Sequence, residues 1–324
     1  MNRVLITGGA GFIGSHLCEL FVEHGFDVVA FDRYNPNNDW GWLESSPYKN
    51  DMEVVLGDIR DYDSVYRAMK GCSDAIHLAA LIGIPYSYIS PSAYIRTNVE
   101  GTYNILEAAR NRELDQAIIT STSETYGTAQ YTPIDEHHPL VGQSPYAATK
   151  IAADQLAISY YLSFDLPVKI ARPFNTYGPR QSTRAVIPAI ISQALEGNKT
   201  IKLGSLSPVR DFTFVKDTCS GFMEIFKSRT LIGEVTNIGM NLEISIGKLA
   251  EKIIRMMEFD IELILDKQRV RPDKSEVHRL ICNNEKIIAH TGWRPVYDLD
   301  RGLSETIDWI RKSRCSYKTL FYTI

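Results

Sequence analysis

Apolar positions along the first 170 residues follow two alternating rhythms. Short, nearly continuous apolar runs at Arg3–Thr7, Asp27–Phe31, Val54–Leu56 and Asp74–Leu78 predict strands buried on both faces. Between them, Gly11–His24 and Asp61–Met69 carry apolar residues at helical spacing. Further on, Ala93–Arg110 and Tyr146–Phe164 read as long helices, and Gln116–Ser121 and Pro167–Arg172 as strands. Strand and helix in such regular succession predict an α/β fold with a doubly wound parallel sheet, and argue against α+β.

Beyond Arg172 the rhythm loosens. Helices near Ile187–Glu196, Thr218–Ser228, Ile246–Met257 and Leu303–Arg314, with short strands at Glu234–Ile238 and Glu262–Leu265, predict a smaller mixed α/β domain. The stretch GSLSPVRDFTFVKD mixes strand and turn signals. The expected division is a first domain over 1–172 with a returning segment near 212–240, and a second over 173–211 and 241–324. No repeat, low-complexity tract or Pro/Ser-rich linker separates them, so they are expected to be closely apposed, with a site in their cleft.

Composition narrows the function classes. With 324 residues and 44% hydrophobic positions, the chain can bury a sizeable core, and a net charge of −4 is too small for a disordered chain. That mild acidity gives no reason to expect nucleic acid; an anionic ligand must find its positive charge locally. Cys18, Cys72, Cys219, Cys282 and Cys315 are scattered, without CxxC or Cys/His spacing. They read as reduced thiols, with no metal site. The chain begins MNRVLITGG, without the charged and apolar regions of a leader, and nothing approaches 18 consecutive apolar residues. The expectation is a cytoplasmic protein free of membrane.

Two constellations carry chemistry. Val4–Gly14 is strand, glycine loop, helix, with Gly8, Gly9, Gly11 and Gly14 where a backbone must turn tightly, approach a pyrophosphate and pack on a sheet. Asp32 lies 18 residues past Gly14 at the end of the second strand, where its carboxylate can take an adenosine ribose diol. A like charge would meet the extra phosphate of NADP, so Asp32 favours NAD, although Arg33 stands beside it. In GDIRD, Asp58 and Ile59 can contact adenine, while a helix cap through Asp61 is an equal use of the cluster. The second constellation is Tyr146 and Lys150, four apart and so on one helix face. A lysine ammonium and a charged nicotinamide would both favour the phenolate of Tyr146, fitting it to take a hydroxyl proton. One loop earlier, Thr122, Ser123 and Glu124 follow a strand end, where an open α/β sheet presents its chemistry.

In chain order, TGGAGFIG, Asp32, GDIRD, HLAA at His77–Ala80, GTYNILEAA, STSETYG, SPYAATK, RPFNTYGPRQ and RDFTFVKD resemble an extended short-chain dehydrogenase/reductase acting on nucleotide sugars. The resemblance covers nearly the whole chain. It implies a Rossmann domain with a smaller nucleotide-sugar domain and a tightly held NAD. It assigns the cofactor to Gly8, Gly11, Phe12, Ile13, Gly14, Asp32, Asp58, Ile59, Leu78, Ala79, Ala80, Tyr146 and Lys150. The run Thr122-Ser123-Glu124 is similar to that of the 4,6-dehydratases, and UDP-glucuronate decarboxylases share it. A dehydratase would use Tyr146 to deprotonate the C4 hydroxyl as hydride leaves C4, then Glu124 to abstract the C5 proton, eliminate water from C6 and return the hydride there. With Ser123 where an acidic group can stand, Glu124 would also protonate the leaving hydroxyl.

For the diphosphate, the resemblance points to Asn175, Arg210 and Arg271, with Arg184 a weaker candidate; the planar fork of arginine matches phosphate geometry. HLAALIGIPYSYISP, FNTYGPRQSTRAVIPAI and RPDKSEV are similar to N-acetylhexosamine nucleotide 4,6-dehydratases of bacterial legionaminic acid pathways. The implied substrate is a UDP- or GDP-linked N-acetylglucosamine, and the implied assembly a homodimer through a four-helix bundle. The alternatives are a UDP-glucuronate decarboxylase, a 4-epimerase, which Glu124 disfavours, and a dinucleotide-binding scaffold without chemistry, which would have no use for Thr122, Tyr146 and Lys150.

Overall fold

The computed structural model describes residues 2–313; Arg314 and Cys315, read above as a helix end and a thiol, lie outside them. The strands β1 (Arg3–Thr7), β2 (Asp27–Arg33), β3 (Met52–Gly57), β4 (Asp74–His77), β5 (Gln116–Thr120) and β6 (Val168–Pro173) join Val235–Ile238 in one parallel sheet. Its order is Val235–Ile238, β6, β5, β4, β1, β2, β3. The chain therefore starts at β1, winds outward to β3, and returns to wind the other way. This is the expected doubly wound fold.

Both faces of the sheet are dry, which is why its strands lack polar alternation. Val4, Ile6, Val28 and Ala30 pack against Leu17 and Phe21 of the helix Phe12–Glu23 and Phe222 and Phe226 of Val215–Lys227. Leu5, Val29 and Phe31 point the other way, onto Val65, Ile105, Ala109, Ala157 and Tyr160. Each such large side chain contributes about 1.5–3 kcal/mol on burial. The first of these clusters does not stop at the sheet. It runs on through Ile190, Ile201, Leu249, Ile253, Trp293 and Ile307 of the C-terminal part.

Several elements differ from the expected ones for local reasons. Ala93–Arg110 is a composite: a short helix Pro91–Tyr94, a π-helical stretch Ile95–Glu100, and the helix Gly101–Asn111. The widened turn lets Asn98 hold the Leu81 backbone from both sides, accepting from its N–H (2.8 Å) and donating to its carbonyl (2.9 Å). The helix expected from Thr218 begins three residues earlier, at Val215, because Val215, Cys219, Phe222 and Phe226 line one buried stripe. The last begins at Leu299 rather than Leu303, since Asp298 caps it by accepting the Arg301 N–H at 2.8 Å. A helix at Ile84–Ile89 has no counterpart in the apolar pattern. The mixed stretch before Val215 resolves into two short strands: Val209–Arg210, antiparallel to Ile244–Ser245, and Phe212–Phe214, parallel to Asn175–Tyr177.

The strands β1, β4, β5 and β6 all end on one edge, so Gly8, Leu78, Ser121 and Phe174 follow them there. An open α/β sheet binds its ligands at that edge. Among the described residues no helix is long and apolar enough to cross a membrane, and no cluster of His, Cys, Asp and Glu could hold a metal. Cys18, Cys72, Cys219 and Cys282 are buried free thiols.

Candidate active site

Close approach, more than turn formation, dictates the glycines. Gly8 takes φ +71° at the end of β1, donating its N–H to the Phe31 carbonyl at 2.8 Å. A Cβ on Gly9 would stand 2.9 Å from that of Ala30 on β2, and one on Gly14 would land on the Gly8 carbonyl oxygen. The helix Phe12–Glu23 follows Gly11 with no side chain capping it, which leaves the first-turn amides around Phe12 and Ile13 to an anion. Asp32, at the end of β2, accepts the Ala10 N–H on Oδ2 at 2.8 Å and the Arg33 N–H on Oδ1 at 2.6 Å. Its carboxylate is thus fixed beside the loop. Leu78 and Ala79 donate their N–H groups to the Thr7 carbonyl and hydroxyl, both at 3.2 Å, which sets Leu78–Ala80 against Gly8.

Asp58 and Ile59 follow β3, the strand paired with β2. The Arg60 guanidinium grips Asp58 through Nε at 2.9 and 3.0 Å and, with the Arg60 N–H and Arg33, holds its carboxyl below the ordinary range. Asp61 separately caps the helix Tyr62–Ala68, so the capping use of GDIRD falls to Asp61 and not to Asp58. Ile59 is buried, and its carbonyl accepts from Asn104 at 2.9 Å. Asp58, Arg60, Asp61, Arg96 and Glu100 line a cavity of about 390 Å³.

The helix Pro145–Phe164 starts at Ser144, whose hydroxyl accepts the Ala147 N–H at 3.1 Å, with Pro145 in the first turn where its missing N–H costs nothing. Tyr146, Lys150 and Asp154 follow one another at four-residue spacing along one face and are only 7%, 4% and 0% exposed. Burial pushes the Tyr146 hydroxyl up from its ordinary pKa, against a hydrogen bond with the Thr122 side chain; Glu124 adds to the rise. Burial pulls the Lys150 ammonium down, opposed by Asp154. Thr122 also accepts the Glu124 N–H at 3.3 Å, capping the short 3₁₀ helix Ser123–Tyr126. That turn buries Ser123 and holds Glu124, 7% exposed, within the electrostatic reach of Tyr146. Tyr94 packs edge-on against Tyr146 at 6.2 Å, and its own hydroxyl is spent on the Gly83 carbonyl.

Positive charge enters from the C-terminal part. Arg210 is 5% exposed and feels Glu124, Arg271 and Glu276; burial pulls its guanidinium down and the two carboxylates oppose that. Arg210 and Arg271 share Glu276, at 3.7 and 3.6 Å. The next residue, Asp211, accepts N–H groups from Met240, Asn241 and Cys282 at 2.8–3.1 Å, which pins the Arg210 strand. Asn175 has a buried Oδ1 with no hydrogen-bond partner. Arg184 is exposed, and its charge reaches Tyr94. The edge therefore gathers a base-sized phenol, an ammonium, a hydroxyl, a carboxylate and two arginines: the groups for moving protons on an anionic polyol.

The family model described as GDP-mannose 4,6 dehydratase matches residues 5–306. The chain belongs to the GDP-mannose 4,6-dehydratase family. It is therefore an extended short-chain dehydrogenase/reductase, an NAD-dependent enzyme of the nucleotide-sugar 4,6-dehydratase class. It is 31% identical to the human dTDP-D-glucose 4,6-dehydratase over 98% of this chain and 93% of that one. It is equally 31% identical to a putative UDP-glucose 4-epimerase of Methanocaldococcus jannaschii, over 96% and 99%. Among solved structures, the dTDP-glucose 4,6-dehydratase DesIV of Streptomyces venezuelae, crystallised with NAD, superposes with a TM-score of 0.89 at 28% identity, covering 98% of this chain and all of that one.

Within this dehydratase-family site, the motif residues account for only part of the wiring. Glu276 lies in the RPDKSEV stretch, yet its place between two arginines depends on a loop closing back over residues far away in sequence. Asp154 continues the spacing of Tyr146 and Lys150, a signal present in the helix itself. Arg172 and Ser121, which hold it, sit at the ends of β6 and β5 and carry no local mark.

Proposed function

We propose that this enzyme converts a UDP- or GDP-linked N-acetylglucosamine to its 4-keto-6-deoxy form by 4,6-dehydration, as a homodimer in the cytoplasm and in the service of legionaminic acid synthesis. The observation that carries the reaction type is Glu124: a carboxylate on the turn capped by Thr122, buried beside Tyr146. Oxidation and reduction at C4 alone need only a phenol, an ammonium and a hydroxyl. A carboxylate in the same enclosure supplies the further base that elimination requires.

Gly8, Gly11, Phe12, Ile13, Gly14, Asp32, Asp58, Ile59 and Leu78–Ala80 would hold NAD. When bound, it supplies an acceptor for the C4 hydride and a donor for C6. Tyr146 takes the proton of the C4 hydroxyl, with Thr122 hydrogen-bonded to the same centre and Lys150 favouring the phenolate from one turn below. The ketone at C4 acidifies C5–H. Glu124 removes that proton and delivers one to the C6 hydroxyl, which leaves as water, while buried Ser123 keeps the turn free of a second acidic group. Arg210 and Arg271 take the diphosphate, Asn175 adds a polar contact through its unpartnered oxygen, and Arg184 approaches from the rim. Exposed Ile95, Tyr103, Leu162 and Phe164 on the helices of the N-terminal part support pairing of two copies through a four-helix bundle.

Incubation with UDP- and GDP-N-acetylglucosamine, GDP-mannose, dTDP-glucose and UDP-glucuronate is expected to show loss of water from an N-acetylglucosamine nucleotide by mass spectrometry. Loss of carbon dioxide from UDP-glucuronate, with no water loss from any sugar, would instead identify a decarboxylase. Glu124→Gln is expected to permit C4 oxidation yet stop before elimination, so that reduced cofactor accumulates to about one equivalent per site. Normal water loss by that variant would remove Glu124 from the role of C5 base.

A further inference from the structure

Beneath Lys150 the chain buries more charge than the proposed chemistry uses. Asp154 is wholly buried, and its Oδ2 is doubly engaged, accepting from the Ser121 hydroxyl at 2.6 Å and from Arg172 Nη2 at 2.8 Å. Its Oδ1 is buried with no hydrogen-bond partner, and the cation one helical turn back is Lys150. Arg172 is 2% exposed; its Nε donates to Ser121 Oγ at 3.1 Å, and its guanidinium lies over the Tyr126 ring at 4.6 Å. The Tyr126 hydroxyl in turn donates to Asn237 Oδ1 at 2.8 Å. One cluster thus ties the ends of β5, β6 and Val235–Ile238 to the helix that carries Tyr146.

Two cations, Lys150 and Arg172, face the anion Asp154, and a second carboxylate, Glu136, faces Arg172. The remaining ionisable groups around it are neutral or face other partners. His77, on β4, feels Lys150 and is kept neutral by burial, with a pKa of about 3. Tyr94 and Tyr126 are phenols that burial pushes up to about 12. Glu124 lies beyond Tyr146 and faces Arg210. Glu136 faces Arg172 from the far side, with its Oε1 taking the Asn237 N–H at 2.7 Å and Lys286 nearby.

We propose that Asp154 and Arg172 are positioning residues for Tyr146: Asp154, one helical turn from Lys150, holds the ammonium by its charge, while Arg172 offsets the charge of Asp154 so that the charge of Lys150 remains available to the phenolate. The idea rests on Tyr146 as the proton acceptor, and opposite changes of charge must move it in opposite directions. Asp154→Asn removes an anion, which favours the phenolate and disfavours the ammonium, so both ionisations move to lower pH. Arg172→Met removes a cation and moves both to higher pH. Arg172→Lys, which keeps the charge, restores the wild-type position.

The test titrates NAD-loaded protein by tyrosinate absorbance, each variant referenced to the same variant carrying Tyr146→Phe, so that only Tyr146 is read. A displacement of about one pH unit in each opposite direction is expected, and the pH profile of kcat should follow while KM stays near its wild-type value. Should Arg172→Met fail to fold, Ser121→Ala provides the same sign by withdrawing a hydroxyl donor from Asp154 Oδ2. Folded variants whose Tyr146 ionisation does not move, or moves in one direction for both charge changes, overturn the proposal. Opposite displacements in an enzyme that turns over none of the nucleotide sugars would support the charge cluster and count against the proposed reaction, so the two failures are distinguishable.

Discussion

Phenylalanine at Tyr146 is expected to lower kcat about 10³-fold with little change in KM, because it deletes one hydroxyl and nothing else. The ring keeps its place: it is 7% exposed, packed edge-on against Tyr94 at 6.2 Å and seated on the helix through Pro145 and Ser144. The hydroxyl alone meets the Thr122 side chain. Water cannot replace it in so enclosed a position, so the C4 proton has no acceptor of matched basicity. Steady-state rates on the sugar that turns over, with NAD binding measured in parallel, check the result. A kcat within tenfold of wild type, at equal NAD occupancy, would show that another group takes the proton.

Gly14→Val is expected to weaken NAD binding by roughly 100-fold. The first atom it adds falls on the Gly8 carbonyl oxygen, 2.7 Å from the Gly8 carbonyl carbon and 3.0 Å from Gly9 Cα, all of it backbone. A flexible side chain could swing aside, but this loop is held by the Gly8 and Gly9 N–H bonds to Phe31 and by Ala10 on Asp32. Overpacking of this kind costs about 1–3 kcal/mol, and about 2.7 kcal/mol corresponds to 100-fold in affinity. The loop must open to relieve it, which displaces the amides meant for the phosphates. Titration of NAD into the purified variant measures the effect. An affinity within threefold of wild type would mean that the loop does not cradle the cofactor.

What the sequence revealed and what it hid divides by distance along the chain. The glycine loop and Asp32 are legible because a strand, a turn and a helix fix them within 30 residues, and Tyr146 with Lys150 because one helix sets their spacing. Arg210 is different. Its strand is two residues long and is held by Asp211 reaching the loops at Met240 and Cys282, so only resemblance could single it out. The π-helical stretch at Ile95–Glu100 escaped for a related reason: its cause is a side chain, Asn98, turning toward Leu81, and apolar periodicity does not record such a demand. Asp154 continues the spacing of that helix face, a signal the sequence reading did not take up. Its partners carry no such signal, because the burial of Arg172 is decided by three strands meeting.

The apolar cluster that crosses from the sheet into the C-terminal helices sets a mechanical limit on the catalytic cycle. A protein whose halves met through wet, polar surfaces could open like a jaw to admit its ligand. Here any such swing would drag Ile190, Leu249, Trp293 and Ile307 away from a packing they share with Val4 and Phe21. Contacts that can change without breaking that packing are polar ones, such as the Tyr88 hydroxyl of the Ile84–Ile89 helix on that of Ser275 at 2.6 Å, with Ser275 reaching the Gln143 carbonyl at 2.6 Å. Movement in this molecule is confined to such hydrogen-bonded ties, while the apolar body stays shut.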